Sequence, residues 1–337
     1  MQQKNFTRIA INGFGRIGRA AFKAALNNHI RIVAINDLSD TAALAHLLKY
    51  DSVYGSYNRA VTSDPKNIIV DGIKYPVFAI KEAKDLPWKK LEVDVVLECT
   101  GKYVNDGTAK AHLQAGAKKV IISAPAKGKP FVPTYVFGSN EEQYKGEALI
   151  SMGSCTTNCI APISKVIQEN FGIKEAFFTT IHAYTADQNL VDGPHKDLRR
   201  ARSAAINTIP TSSGAAISVA ETQPKLKEKF DGLAVRVPVV CGSLTDLVFL
   251  VRTKTTVAKV NGVFKKAARL KNLQKYLSVT SDPVVSSDIV GNPASSIVDL
   301  SLTMVVSGDL LKVLSWYDNE WAYSLRLVEM AEYIMNK

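Results

Sequence analysis

Cysteine is scarce in this sequence, at four in 337 residues, and none of Cys99, Cys155, Cys159 and Cys241 stands in a C-x2-C pair. That excludes a disulfide-stapled scaffold and a structural zinc site, no metal is expected, and the thiols are left for chemistry. No segment approaches the roughly 20 uninterrupted apolar residues that cross a bilayer. The N-terminus, Met1 to Phe6, runs straight into an apolar strand pattern without a signal-peptide core, so the expected location is cytoplasmic and no membrane partner is expected. Compositional bias is also missing: 46% hydrophobic and 22% charged residues, with 20 Gly and 13 Pro spread along the chain, exclude a disordered or collagen-like protein. Acidic residues fall short of basic ones, 31 against 42, for a net charge of +11. Such an excess suits nucleic acid, a membrane surface or phosphorylated small substrates. The basic residues are mostly scattered singly, with the densest cluster at Lys196-Asp197-Leu198-Arg199-Arg200-Ala201-Arg202 and no zinc-finger or basic-zipper spacing. A solvated basic surface is the expectation, with nucleic acid as a secondary role only.

What is present is an alternation of strand and helix patterns. Phe6 to Asn12 reads as a strand, Gly15 to Asn28 as a helix, Ile30 to Ile35 as a β-branched strand and Asp40 to Tyr50 as a helix. Asn67 to Val77 reads as a hairpin turning at Asp71-Gly72. Val93 to Cys99, Asn105 to Ala117, Lys119 to Ser123 and Ala148 to Ser151 continue the series, which predicts an α/β domain with a doubly wound parallel sheet over residues 1–153. Beyond it, a helix at Thr157 to Asn170 and long strand-like runs at Ile173 to Tyr184, Leu233 to Val240 and Leu244 to Thr253 predict a second, α+β domain with a mostly antiparallel sheet over residues 154–318. Between the first two runs lies a polar stretch, Thr185 to Ser213, too long for an ordinary connection and so expected to carry function. The chain closes with an amphipathic helix over residues 319–337 that needs a domain to dock on.

Three constellations carry chemistry. Gly13-Phe14-Gly15-Arg16-Ile17-Gly18 places G-x-G-x-x-G between strand one and helix one, where a tight turn, close backbone approach and a helix N-terminus suit a diphosphate. Asp37 follows 19 residues after Gly18, where a carboxylate accepts from the adenosine ribose hydroxyls and repels a 2′-phosphate, so NAD is expected over NADP. Ser154-Cys155-Thr156-Thr157-Asn158-Cys159 sets Cys155 at a helix start, where the macrodipole and free N–H groups favour a thiolate ionising well below its usual range. A small buried thiol in a capping segment is the alternative for Cys155, and a core position is expected for Cys159, although the two could pair on oxidation. His182, at the end of an apolar strand and just before the polar stretch, is the best base among five histidines, against the alternative of a hydrogen-bonded structural ring. His29, His46 and His112 lie at or within helices of the first domain. Arg199, Arg200, Arg202 and Arg236 could bind phosphate or form a solvated face.

With these residues stand Ile11-Asn12-Gly13-Phe14-Gly15-Arg16-Ile17-Gly18-Arg19, His182-Ala183-Tyr184-Thr185-Ala186-Asp187-Gln188, Asp197-Leu198-Arg199-Arg200-Ala201-Arg202 and Trp316-Tyr317-Asp318-Asn319-Glu320-Trp321. In this order, and over essentially its whole length, the chain resembles the phosphorylating glyceraldehyde-3-phosphate dehydrogenases. The resemblance implies a Rossmann-type NAD domain, Cys155 as nucleophile and His182 as its base, passing through a hemithioacetal and a thioester that phosphate cleaves. It implies NAD contacts from Gly13, Gly15, Arg16, Ile17, Gly18, Asp37, Lys81 and Ser123, with Asn319 on the nicotinamide carboxamide. Thr185, Asp187 and Arg236 would hold the phosphate of glyceraldehyde 3-phosphate, and Ser154, Thr156, Arg200, Ser213 and Gly214 would line a site for inorganic phosphate. A homotetramer and a C-terminal helix returning to the first domain are implied too. The chain departs from the family at Ser151-Met152-Gly153-Ser154, at Ile217 where a lysine is usual, and at Val239-Val240-Cys241-Gly242-Ser243, which lacks the usual Pro-Asn pair. Erythrose 4-phosphate is the neighbouring substrate; Tyr184-Thr185-Ala186-Asp187 and Pro210-Thr211-Ser212-Ser213-Gly214 favour the three-carbon one.

Overall fold

In the computed structural model, which describes residues 6–28 and 30–337, the chain divides into two compact units. Unit 1 comprises Met1–Tyr135, Gln143–Gly153 and Ser324–Lys337, and unit 2 comprises Val136–Glu142 and Ser154–Tyr323. The expectations touching Met1 to Asn5 and His29 lie outside the described residues.

Unit 1 opens with β1 (Arg8–Asn12), α1 (Arg16–Asn27), β2 (Arg31–Asn36) and α2 (Thr41–Lys49). A short ribbon, β3 (Tyr50–Asp51) and β4 (Gly55–Ser56), leads to β5 (Val61–Asp64), β6 (Asn67–Val70) and β7 (Ile73–Phe78). Then come β8 (Val95–Glu98), α3 (Lys110–Gln114), β9 (Lys119–Ile122) and β10 (Leu149–Ser151). Eight strands form one sheet in the order β10-β9-β8-β1-β2-β7-β6-β5, parallel as far as β7 and antiparallel beyond it. The chain winds outward in both directions from β1, so the β1/β8 boundary is the switch point, where parallel sheets bind ligands at their C-terminal ends. Ile9, Ala10 and Ile11 of β1 and Val95, Val96 and Leu97 of β8 are fully buried, as strands covered on both faces must be.

Local chemistry sets the boundaries. Asp40 caps α2 by accepting from Ala43 N at 2.8 Å. The turn between β6 and β7 has Asp71 and Gly72 at φ 50° and 78°, the left-handed pair a two-residue hairpin needs. The helix expected over Asn105 to Ala117 is shorter, because Asp106 and Gly107 take φ of 51° and 63° and hold the chain out of helical geometry until Lys110.

Unit 2 carries α4 (Cys155–Phe171), β11 (Ile173–Ala183), β12 (Ile209–Ser212), α5 (Ala215–Thr222), β13 (Phe230–Val237) and β14 (Ser243–Val251). It continues with α6 (Val257–Ala267), β15 (Leu277–Thr280), β16 (Ser296–Val306) and β17 (Leu310–Tyr317); α7 (Trp321–Met335) begins here and from Ser324 belongs to unit 1. Its sheet runs β12-β13-β11-β14-β17-β16-β15 and is antiparallel apart from the β11/β13 and β15/β16 pairs. One face packs Phe178, Leu247, Phe249, Leu311 and Val313 against Cys159, Ile160, Ile163 and Ile167 of α4. Each such large side chain contributes about 1.5–3 kcal/mol on burial. The opposite face leaves Phe177, Leu233, Met304, Val306 and Leu310 exposed. Among the described residues no helix is long and apolar enough to cross a membrane.

Candidate active site

Cys155 is the first residue of α4, and its neighbours fix that start. Ser154 is the N-cap, its hydroxyl accepting from Thr157 N at 3.0 Å while Thr157 Oγ1 accepts from Ser154 N at 3.1 Å, a reciprocal capping box. The sulfur thus lies at a helix N-terminus, 3.4 Å from His182 Nε2. His182 stands near the end of β11 and is directly opposite Arg236 on parallel β13. That register explains the next contact: Arg236 Nη1 donates to Ala183 O at 3.0 Å and lies 2.5 Å from His182 Nδ1, which is itself 2.6 Å from Ala183 O. Arg236 Nε is buried with no partner among the described residues.

Desolvation dominates the ionisation of this group. Burial pushes the Cys155 thiol above its ordinary value, with the Arg236 guanidinium and the Thr156 side chain and N–H pulling the other way. The sequence expectation of a thiol ionised well below its usual range is therefore corrected to a thiol pushed upward, because a charge at this helix start loses hydration. Burial drives His182 down to about 3, and the adjacent guanidinium adds to the effect. An uncharged imidazole therefore faces the sulfur. Cys99 and Cys159 are pushed up to about 12 by burial, which leaves them far less nucleophilic.

The polar stretch folds around Arg200. Its Nε donates to Thr211 Oγ1 at 2.9 Å and its Nη2 to Ser212 O at 3.2 Å, while Nη1 pairs with Asp187 and Asp197 lies 3.5 Å from Nε. Asp187 thus pairs directly with Arg200 and also acts electrostatically on Arg236. Thr185 sits at the head of this stretch, its N–H reaching Gln188 Oε1 at 3.3 Å. Gly214 is the N-cap of α5 without a side-chain cap bond, and Ser213 Oγ accepts from Ala215 N at 3.3 Å. The Thr156 hydroxyl bonds Tyr317 Oη at 2.9 Å. Asn319 Oδ1 accepts from Gly242 N at 3.1 Å and Ser243 Oγ at 2.9 Å, which orients the amide and leaves Nδ2 for a carbonyl ligand.

In unit 1 the glycine turn fits a dinucleotide. A side chain at Gly13, where φ is 92°, would lie 2.8 Å from Thr100 N, and one at Gly18 would lie 2.1 Å from Gly13 O, whereas a Cβ at Gly15 would meet open space. The turn is thus closed to side chains on its inner side and open where a diphosphate must approach the N-terminus of α1. Asp37 accepts from Phe14 N at 2.8 Å and Ser39 N at 3.0 Å, which holds its carboxylate at the end of β2. Arg16 pairs with Asp51 at 2.7 Å, Ile17 follows it in the first turn of α1, Lys81 is exposed, and Ser123 N donates to Glu98 O at 3.0 Å beyond β9. Among the described residues no group of three or more His, Cys, Asp or Glu could hold a metal ion.

Sequence reasoning missed Ser243, which accepts from Ala183 N at 3.1 Å and donates to Asn319, and Tyr317, whose hydroxyl also bonds Thr180 at 2.8 Å. Tyr317 lay within a motif already singled out; Ser243 carried no signal of its own.

Comparison with known proteins agrees with this geometry. The family model for the glyceraldehyde 3-phosphate dehydrogenase C-terminal domain matches residues 154–319, and that for the NAD binding domain of the same family matches residues 7–106. Glyceraldehyde-3-phosphate dehydrogenase 2 of Streptomyces avermitilis is 52% identical over 334 residues, spanning 98% of this chain and 99% of the relative. Glyceraldehyde-3-phosphate dehydrogenase of Streptomyces coelicolor is 51% identical and glyceraldehyde-3-phosphate dehydrogenase 1 of Bacillus cereus 50% identical, each over 98% of this chain and 99% of the relative. A cysteine at a helix start facing a buried imidazole, a dinucleotide turn and family matches in both halves agree: the chain belongs to the glyceraldehyde-3-phosphate dehydrogenase family.

Proposed function

We infer that this protein oxidises glyceraldehyde 3-phosphate to 1,3-bisphosphoglycerate with NAD and inorganic phosphate. The observation that carries the reading is the 3.4 Å approach of Cys155 Sγ and His182 Nε2 in a chain whose other unit holds a glycine turn open to a diphosphate. NAD, when bound by the glycine turn and Asp37, supplies the hydride acceptor.

Cys155 Sγ adds to the aldehyde carbon, its proton passing to the new hydroxyl, and a hemithioacetal forms on the protein. His182 Nε2 takes the hydroxyl proton as the carbon is oxidised to a thioester. Phosphate then attacks the thioester carbon and the sulfur leaves. The helix start at Cys155 stabilises the oxyanion in both stages, and His182, protonated once the carbon is oxidised, stabilises it as phosphate attacks the thioester.

Nδ1 of His182 decides when this base is available. Arg236 Nη1, which can only donate, and Ala183 O, which can only accept, compete for Nδ1, so the guanidinium favours the ring proton on Nε2, facing the sulfur, and the carbonyl favours it on Nδ1. A substrate phosphate that draws Arg236 away lets Nδ1 donate to Ala183 O instead and strips Nε2 for its work. Arg236, with its buried and unpartnered Nε, and Thr185 serve this substrate anion. Arg200, Ser213 and the open N-terminus of α5 at Gly214 serve inorganic phosphate, with Ser154 and Thr156 beside the sulfur and Asp187 orienting Arg200.

The exposed apolar face of the unit 2 sheet supports self-association, and family membership supports assembly of four copies and a cytoplasmic place in glycolysis. Steady-state NADH formation from glyceraldehyde 3-phosphate, NAD and phosphate tests the reading. Activity of the wild type and its loss in Cys155→Ser support it, and comparable activity in Cys155→Ser refutes it.

A further inference from the structure

Beneath the dinucleotide turn runs a buried polar chain that none of these roles uses. Its centre is Glu98, the last residue of β8 and 1% exposed. Oε2 accepts from Asn12 Nδ2 at 2.5 Å and from His112 Nε2 at 2.9 Å, and Oε1 accepts from Thr100 N at 2.8 Å and from the Thr100 hydroxyl. The far side fixes the imidazole: Trp88 Nε1 can only donate and does so to His112 Nδ1 at 3.0 Å, so the ring proton sits on Nε2 and points at Glu98. Asn12 Oδ1 in turn accepts from Asn36 Nδ2 at 2.7 Å, and the Asn36 side chain both donates to and accepts from the backbone of Ile80 at 3.0 Å. Trp88 and His112 are 0% exposed and Asn12 is 2% exposed.

A buried carboxylate is costly, and well-packed apolar groups of the same volume commonly stabilise a fold as much or more. What the arrangement does supply is position. Asn12 precedes Gly13, and the Gly13 turn packs on the backbone of Cys99 and Thr100, with Cys99 N donating to Asn12 O at 2.7 Å and Gly13 N to Asn36 O at 2.8 Å. Through Asn12, Thr100 and Asn36, one carboxylate ties together the C-terminal ends of β1, β8 and β2. Those ends carry the glycine turn, the Thr100-Gly101 segment and Asp37.

We propose that Glu98, held by His112 and Trp88, is a positioning residue for the dinucleotide, fixing the Gly13 turn against Thr100 before the cofactor arrives. A turn already ordered spares the binding step the ordering of backbone, so the network raises affinity without touching the ligand. The proposal rests on the reading of this turn as the NAD site.

Calorimetric titration with NAD tests it, beside thermal unfolding and the rate of iodoacetamide alkylation of Cys155 in the NAD-free protein. In Glu98→Gln an amide N–H must confront either Thr100 N–H or the Asn12 and His112 donors. The Kd for NAD should rise about tenfold or more while alkylation of Cys155, in unit 2, keeps its wild-type rate. His112→Gln keeps one N–H for Glu98 and one carbonyl for Trp88 and should stay within about threefold of wild type, while His112→Leu should weaken NAD as Glu98→Gln does. Wild-type affinity in Glu98→Gln overturns the proposal. So does equal loss in His112→Gln and His112→Leu, which would make the network mere packing. If Glu98→Gln does not fold, the two His112 variants decide between the same outcomes. A wild-type protein that binds no NAD overturns the underlying reading of the turn instead, and the proposal falls with it.

Discussion

At Cys155 two physical demands compete, a helix start and guanidinium that favour a thiolate and the loss of hydration that opposes it, and the loss of hydration is the larger. Iodoacetamide alkylation of the free protein should therefore keep accelerating with pH through and beyond the ordinary thiol range of about 8.5. A rate plateau near neutrality would show instead that the ion pair exists at rest. Alkylation should modify Cys155 before Cys99 and Cys159, as peptide mapping reads directly. The contact between Arg236 and His182 gives a second expectation. Glyceraldehyde without its phosphate should be slow in kcat as well as weak in KM, and added phosphite should accelerate its oxidation in the wild type but not in Arg236→Leu. Acceleration by phosphite in Arg236→Leu would place the activating anion elsewhere. The placement of Cys155 at a helix start, of His182 near the end of a strand and of Asp37 just beyond β2 could be read from residue type and local pattern. The pairing of His182 with Arg236 could not, since it depends on the register of two strands 54 positions apart in sequence.

Elements with strong local signals were the legible ones. The strands β1, β2, β8 and β9 are continuous apolar runs, and the β6–β7 hairpin announces itself by Asp71-Gly72. By contrast α3 lost its first turns to Asp106-Gly107, the same turn dipeptide, across which the apolar spacing had extended the helix. The strands β15, β16 and β17 mix polar residues into the core side, Ser315 at 0% and Asp299 at 2% exposed, and so lack clean alternation. The turn after β1 offers the sharpest test at this scale. Gly13→Ala puts a methyl group 2.8 Å from Thr100 N at a positive φ, so NAD binding should fall by more than about tenfold by calorimetry. Near wild-type affinity would mean that the turn does not shape the cofactor site.

Across the whole molecule the two units behave as separate physical problems, one with a mainly parallel sheet whose central strands are buried on both faces and one with a mainly antiparallel sheet covered on one. The apolar residues left on the second sheet, Phe177, Leu233 and Leu310 among them, predict self-association by sedimentation; Phe177→Lys with Leu233→Lys should shift the distribution toward smaller species. A monomeric wild type at micromolar concentration would contradict that. Acid should weaken the fold through His182: its folded value near 3 lies below the ordinary 6.5, so the unfolded chain binds more protons between them. The contribution of the neutral ring is present above about 6.5 and is lost as pH falls toward 3. His182→Asn should flatten that part of the denaturation profile against pH, and an unchanged slope would assign acid sensitivity to other groups.

The central claim is a covalent acyl group on Cys155 that only phosphate removes efficiently. Rapid mixing of the protein and NAD with glyceraldehyde 3-phosphate, without inorganic phosphate, followed by acid quench and mass analysis of the peptide holding Cys155, tests it most directly. The account predicts a burst of NADH near one equivalent per chain, a matching acyl adduct on Cys155, and sustained turnover with loss of the adduct once phosphate is added. Full turnover without phosphate, or a burst with no adduct on Cys155, would contradict it.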